Sequence, residues 1–312
     1  MFGCISGSAF LQSITDEFCT GRCCGLRRSW PLALVLLSLG LCPGVAFARG
    51  VVAGSPSVHL STGAFVTRDA PVILTTAGSD SRLPYLLGSS RTNYFHAIPS
   101  QEKNIELVAR RLNGTLVEPG QVFSYYRRIG PYTAENGFGW GRMFVGDRIV
   151  PSVGGGVCQG SSTLYAAVLR TGLPIVERHH HGLTVPYLPP GEDATVASDY
   201  LDFRFLDNRT TPVLITASTK DRHLSVQVWG ASPGPQIVVK HEILQEYPFR
   251  TVQQFNPQLK PGETRVAAPG QPGVKVKTWL EIKTPEGTET KPLSIDTYRP
   301  SPRIVESGTR FQ

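Results

Sequence analysis

Residues 153–169 read Val153-Gly154-Gly155-Gly156-Val157-Cys158-Gln159-Gly160-Ser161-Ser162-Thr163-Leu164-Tyr165-Ala166-Ala167-Val168-Leu169. Apolar Leu164, Ala167 and Val168 mark a helix that ends near Arg170, with Gly172 just past its end and Pro174 beyond. The helix therefore begins close to Cys158, directly after three glycines. Leu173-Pro174-Ile175-Val176-Glu177-Arg178 then reads as a short strand running into His179-His180-His181. A helix of about twelve residues advances roughly 18 Å, and a returning strand of about six covers roughly 20 Å. His179 or His181 is thus expected to stand level with Cys158.

Working outward, Ile105, Val108, Ala109 and Leu112 mark a second helix upstream, with Ser100 as its expected cap and Gly114 as its stop. Between the two helices lie Pro119-Gly120-Gln121-Val122-Phe123-Ser124-Tyr125-Tyr126 and residues 130–141, where aromatics alternate with glycines. Such aromatics either stack on sugar rings or peptides from exposed loops, or pack the loop onto the core. Residues 49–100 begin with short alternating runs such as Ala70-Pro71-Val72-Ile73-Leu74-Thr75-Thr76, which read as strands and loops. Downstream, Asp202-Phe203-Arg204-Phe205 and residues 212–216 and 224–228 read as further strands. Gly230-Ala231-Ser232-Pro233-Gly234-Pro235 is a hinge by composition and places a domain boundary there. Beyond it, residues 274–283 alternate as a half-exposed strand does, with a turn at Pro285-Glu286-Gly287. The expected class is α+β: few helices packed on antiparallel strands, followed by a small elongated all-β domain.

The composition agrees. With 40% hydrophobic and 18% charged residues the chain is globular, and 32 Gly with 25 Pro favour turns and β-structure over a helical bundle. Near the start, Arg22, Arg27 and Arg28 precede an apolar run, residues 30–48, that closes on Ala46-Phe47-Ala48. Residues 1–48 read as a signal peptide cut after Ala48, for a chain destined for the cell wall, periplasm or exterior. An uncleaved membrane anchor is the rival reading, although Pro43 and Gly44 interrupt the run. Cys4, Cys19, Cys23, Cys24 and Cys42 all lie in this segment, so Cys158 is the single thiol of the mature chain and no intramolecular disulfide can form. The segment carries three Arg against Asp16 and Glu17, so the formal charge of +7 becomes +6 after processing. That surplus suits an acidic wall polymer, or peripheral association with anionic lipid headgroups. Nucleic acid is disfavoured, because the Lys and Arg are scattered.

Several short motifs occur in an order that resembles the VanW-like family over residues 101–230: Pro119-Gly120 with Phe123-Ser124, then residues 154–159, then Glu177-Arg178-His179 with His181, then Asp193-Ala194-Thr195-Val196. The resemblance implies action at the bacterial envelope. One departure is Gly182, where the family usually shows Ser after the His, which removes any role for a hydroxyl there. Residues 237–312 resemble the G-five domain, with Gly262, Gly270, Gly273, Gly287 and Gly308 in suitable places. That resemblance implies targeting to peptidoglycan or another polymer containing N-acetylglucosamine.

The chemistry expected centres on Cys158. The positive end of a helix stabilises a thiolate, and flexible glycines let backbone N–H groups approach a substrate oxygen. A partner imidazole at His181 or His179 would permit acyl transfer on an amide or peptide bond, with Asp193 or Gln159 as orienter or oxyanion donor. The expected catalytic set is Cys158, His181, Asp193 and Gln159; Phe123, Ser124, Gly155, Gly156, Arg178 and His179 are the expected substrate-binding set. Glu177 and Arg178 suit an ion pair or turn anchor better than catalysis. Against this stands a plainer reading, in which Cys158 is a small buried hydrophobe and the histidines are structural. A zinc site on His179 and His181 with Asp193 or Cys158 is a third. The set carried forward holds no metal and no cofactor. A noncatalytic wall-glycan-binding protein is the alternative to a cysteine-dependent amidase, peptidase or transpeptidase.

Overall fold

A computed structural model describes residues 82–145 and 148–309. The expected signal segment, its five cysteines and the strands read within residues 49–81 lie outside the described residues. Among the described residues, no helix is long and apolar enough to cross a membrane.

The first half is built on a four-stranded antiparallel sheet in the order β1 (Tyr85–Asn93), β9 (His223–Gly230), β8 (Val213–Lys220), β2 (Thr115–Val117). Strand β9 alternates strictly, turning Leu224, Val226 and Val228 inward. Helices α1 (Pro99–Leu112) and α3 (Val157–Leu169) pack on this sheet. Ile105, Val108, Ala109 and Leu112 of α1 are buried, as the spacing predicts. Ser100 does not cap α1. The N-cap is Ile98, with Pro99 in the first turn, where its missing N–H costs nothing. The Ser100 hydroxyl donates instead to the Trp140 carbonyl.

Two small sheets flank this core. One has the order β3 (Val122–Ser124), β7 (Arg204–Leu206), β6 (Ile175–Glu177), with the short helix α2 (Tyr125–Ile129) following β3. The other is the hairpin β4 (Trp140–Val145) and β5 (Arg148–Val153). Much of the stretch expected to be loop is therefore structured. In α3 every residue except Cys158 is buried. A helix buried all round belongs to a core rather than a surface, so its one less buried position stands out.

The second half consists of β10 (Gln236–Tyr247), β13 (Gly273–Thr284) and β14 (Gly287–Tyr298), an antiparallel sheet in that order. A second sheet runs β11 (Thr251–Phe255), β15 (Ser301–Ser307), β12 (Thr264–Gln271), with β11 parallel and β12 antiparallel to β15. Residues 285 and 286 make the expected turn between β13 and β14. The connector at 231–235 is less free than its composition suggests. Arg209 donates to the carbonyl and hydroxyl of Ser232, at 2.8 and 2.7 Å, and Leu280 and Ile282 of β13 join the core of the first half.

Candidate functional site

The turn before α3 places its first residues by steric necessity. A Cβ on Gly155 would lie 2.4 Å from the Gly141 carbonyl carbon, so the two backbones pass in contact and neither position admits a side chain. Gly156 is the N-cap of α3 at φ +100°, a conformation that favours glycine. The helix opens at Val157, and Cys158 is its second residue, where the partial positive charge of the helix end acts most strongly. The glycines thus form the turn and support the helix start; Gly155 is packed on backbone rather than open to a substrate.

Cys158 is half-buried and unpaired by any disulfide. Its sulfur lies 3.6 Å from the Thr195 hydroxyl, donates to the Val196 carbonyl at 3.3 Å and accepts from the Val196 N–H at 3.5 Å. Segment 193–196 is held against α3 by two hydroxyls one turn further along. Ser161 and Ser162 donate to the Ala194 carbonyl at 2.6 and 3.1 Å, and Ala194 N–H returns a bond to Ser162 at 3.0 Å.

The histidine beside the thiol is His181, which hydrogen-bonds the Cys158 side chain. Its Nδ1 lies 2.6 Å from Asp193 Oδ2, and the same oxygen accepts the His181 backbone N–H at 2.7 Å. With Nδ1 committed to Asp193, Nε2 is the nitrogen left to face the thiol. Asp193 is fully buried, and its Oδ1 accepts from Arg178 Nη2 at 3.2 Å and from the Tyr298 hydroxyl. Arg178 also donates through Nε to the Asp193 carbonyl at 2.7 Å and through Nη1 to Asp296 at 2.6 Å. Cys158, His181 and Asp193 therefore form a hydrogen-bonded series.

Their proton affinities are coupled. Burial works against the His181 imidazolium, but the Asp193 hydrogen bond, followed by the bond and charge of Cys158, raises its pKa to about 9. Burial pushes the Cys158 thiol up, yet the bond and charge of His181, with help from Val196 and Thr195, hold it below its ordinary value. Burial likewise opposes the Asp193 carboxylate, while His181, Arg178 and Tyr298 together bring it down to about 2. Each charge is stabilised by its neighbour. That is the electrostatic condition of a thiolate–imidazolium pair oriented by a carboxylate.

The other expected residues go elsewhere. The side-chain amide of Gln159 donates to Thr92 Oγ1 at 3.0 Å and the Asn93 carbonyl at 2.8 Å, both on β1, so it faces away from the thiol. Phe123 is buried and stacks on Phe205 with ring centroids 5.0 Å apart. Ser124 caps α2, accepting from Arg127 N–H at 3.2 Å and donating to Asp202 at 2.5 Å. His179 turns to Glu177, 3.1 Å away, and Glu177 also pairs with Arg204 at 3.3 Å, so Glu177 and Arg178 do not pair with each other. The strand read over residues 173–178 is shorter, β6 ending at Glu177, so His179 and His181 lie beyond it and do not share a strand face. Among the described residues no group of three His, Cys, Asp or Glu side chains is arranged to hold a metal.

Four contributors were not assigned roles from the sequence. Thr195 and Val196 lay inside a noted motif, but only folding brings them onto the sulfur. Tyr298 and Asp296 lie more than a hundred residues away in the second half, with no local signal linking them to Asp193. Beside the series is an open cleft of about 690 Å³, walled by Glu177, His179 and Thr195 on one side and by Leu293, Ser294 and Asp296 of β14 on the other.

Comparison with known proteins agrees with this division. Residues 100–229 match the family described as VanW like protein, and residues 238–310 match the G5 domain. The uncharacterized protein YoaR of Bacillus subtilis is 40% identical over 131 residues, covering 42% of this chain and 43% of that protein. The vancomycin B-type resistance protein VanW of Enterococcus faecalis is 28% identical over 176 residues, covering 52% of this chain and 63% of that protein. Surface protein G of Staphylococcus aureus is 38% identical over 79 residues, covering 24% of this chain and 5% of that protein. The alignments thus span less than two thirds of each relative. Residues 100–229 belong to the VanW-like family, and residues 238–310 are a G5 domain.

Proposed function

We propose that this is an exported cell-envelope protein whose Cys158, His181 and Asp193 carry out acyl transfer on amide or peptide bonds of peptidoglycan, while the G5 domain holds it on the wall polymer. The observation that carries the reading is the hydrogen-bonded series from thiol to imidazole to buried carboxylate, with the thiol lowered and the imidazole raised in proton affinity. Thiolate attack on a carbonyl carbon forms a C–S bond. His181, with Asp193 on Nδ1, gives its proton to the departing amine nitrogen as the C–N bond breaks and a thioester is left. Water or an acceptor amine then attacks the thioester, gives its proton to His181 and releases Cys158. The Cys158 N–H in the first turn of α3 serves as an oxyanion donor, a role Gln159 cannot take while bound to β1. The cleft is lined by Thr195 and not by Cys158 or His181, and the substrate carbonyl reaches the sulfur from it past the Thr195 hydroxyl, 3.6 Å from Cys158.

Envelope location is supported by the two domain matches and by relatives named for surface location and vancomycin resistance. Three arginines and a small-x-small site ahead of the mature chain support export. The test is to incubate the full chain with purified peptidoglycan fragments and follow both products and intact protein mass. A product absent from Cys158→Ala, with a mass adduct on Cys158, is the expected result. Sedimentation with insoluble peptidoglycan at low salt but no turnover and no adduct would leave a noncatalytic glycan-binding protein.

A further inference from the structure

Resting on the reading of Cys158, His181 and Asp193 as a catalytic series, we infer that the G5 domain is part of that site: Tyr298 and Asp296 of β14 are positioning residues that hold Asp193 and Arg178 in the arrangement His181 requires. A domain that served only to anchor the chain would need no contact with the triad carboxylate. Here the contact is direct. The Tyr298 hydroxyl donates to Asp193 Oδ1 and accepts the Gly191 N–H at 2.8 Å, so it is fixed from both sides, and the residue is fully buried. Its ring meets His180 edge-on, with centroids 5.2 Å apart.

The second link runs through Arg178. Its guanidinium bridges the two domains, with Nη2 on Asp193 and Nη1 on Asp296, and lies over the Tyr165 ring at 5.2 Å. The Ser294 hydroxyl donates to Asp296 Oδ2 at 3.0 Å, orienting that carboxylate from the G5 side. The side chains of Arg178, Asp193 and Asp296 are all less than a tenth exposed. Buried charges of this kind are a poor means of increasing stability, because desolvation offsets most of their attraction; their better attested use is to fix one arrangement. The charges alternate across the set: Arg178 and a protonated His181 lie among Asp193, Asp296 and the Cys158 thiolate. Removing Asp296 takes away the carboxylate that holds Arg178 Nη1, so the guanidinium loses the orientation in which it fixes Asp193 Oδ1 and the Asp193 carbonyl, and Asp193 loses its alignment on His181. Other bonds cross the same interface without touching Asp193: Gln271 donates to the Thr184 hydroxyl, and Arg299 N–H to the Gly182 carbonyl at 2.8 Å. These separate docking from positioning.

The experiment measures the rate of Cys158 alkylation by iodoacetamide against pH, with thermal unfolding, on the full chain and its variants. Tyr298→Phe and Asp296→Asn are each expected to move the alkylation midpoint upward and slow the reaction about three- to tenfold at neutral pH, half to one pKa unit. Asp296→Glu should recover most of the loss. Gln271→Ala, which breaks a docking bond alone, should leave the midpoint in place. If His181→Ala raises the midpoint while Tyr298→Phe and Asp296→Asn do not, the catalytic series stands and the G5 contribution is overturned. A shift in Gln271→Ala as large as that in Tyr298→Phe also overturns it, because docking in general would then suffice. If His181→Ala leaves the midpoint unchanged, the underlying catalytic reading fails instead. Should Tyr298→Phe not fold, Asp296→Asn at the wall of the cleft carries the same decision.

Discussion

The two halves of this chain are stabilised in different ways. In the VanW-like half, α1 and α3 close one face of a four-stranded sheet, and α3 is buried on nearly every side. In the G5 half, most positions of β10, β12 and β14 stay partly or fully exposed, and the long ladders of backbone hydrogen bonds replace a deep core. The few G5 residues that are buried include Leu280, Asp296 and Tyr298, and these face the first half. What looks like a separate module by composition thus keeps much of its buried surface for its neighbour. The boundary between sequence families is not a boundary between independent mechanical parts.

Substitutions can sharpen or break that contrast. The largest effect is expected from Asp193→Ala, which leaves Arg178 and His181 buried without their shared partner. Removing one member of a buried ionic network costs about 3–5 kcal/mol, read by urea unfolding of the whole chain. A cost below about 1 kcal/mol would mean the network is hydrated and contributes little. Next comes Leu164→Ala in α3, where a fully buried leucine should cost about 2–5 kcal/mol. Leu280→Ala in β13 should fall in the same range, because this residue joins the same core cluster. If Leu280→Ala behaves like a surface change, the packing between the halves is not as close as described.

The pH dependence gives a third comparison. The Asp193 carboxylate has its pKa depressed to about 2, so its contribution to stability is complete above its unfolded value of about 3.9 and is lost as the pH falls through about 2. The contribution is about 2–3 kcal/mol. Asp193→Asn should therefore flatten the acid end of the stability profile in that window. The smallest effect is expected from Arg265→Ala, which removes an exposed ion pair with Glu306 on the second sheet of the G5 half. Such exposed pairs contribute little to stability, and less still in high salt. A loss comparable to that of Asp193→Ala would erase the distinction between the halves.

Much of the fold was legible before the structure. The α3 stop at Gly172, the apolar spacing of α1 and the alternation in β13 are short-range signals, and the elements formed close to where those signals place them. The Ser100 cap failed because Pro99 and the fixed entry of the chain decided the helix start, leaving the hydroxyl to bond Trp140. Phe123 and Ser124 read as loop residues in a stretch rich in Gly and Tyr, yet stacking on Phe205 and bonding to Asp202 placed them inside. Those partners lie about eighty residues away, where no local period can announce them.

By itself the sequence determined that Cys158 would open a helix after a glycine turn, with histidines and Asp193 close behind. Glycine's steric freedom and helical periodicity are local properties, readable without coordinates. Only the tertiary structure decided that His181 rather than His179 meets the thiol, that Gln159 turns to β1, and that Tyr298 and Asp296 reach the site. Those outcomes depend on the direction the chain takes beyond β6 and on packing between distant strands. They are contacts between residues far apart in the chain, selected by burial and hydrogen-bond satisfaction in the folded whole.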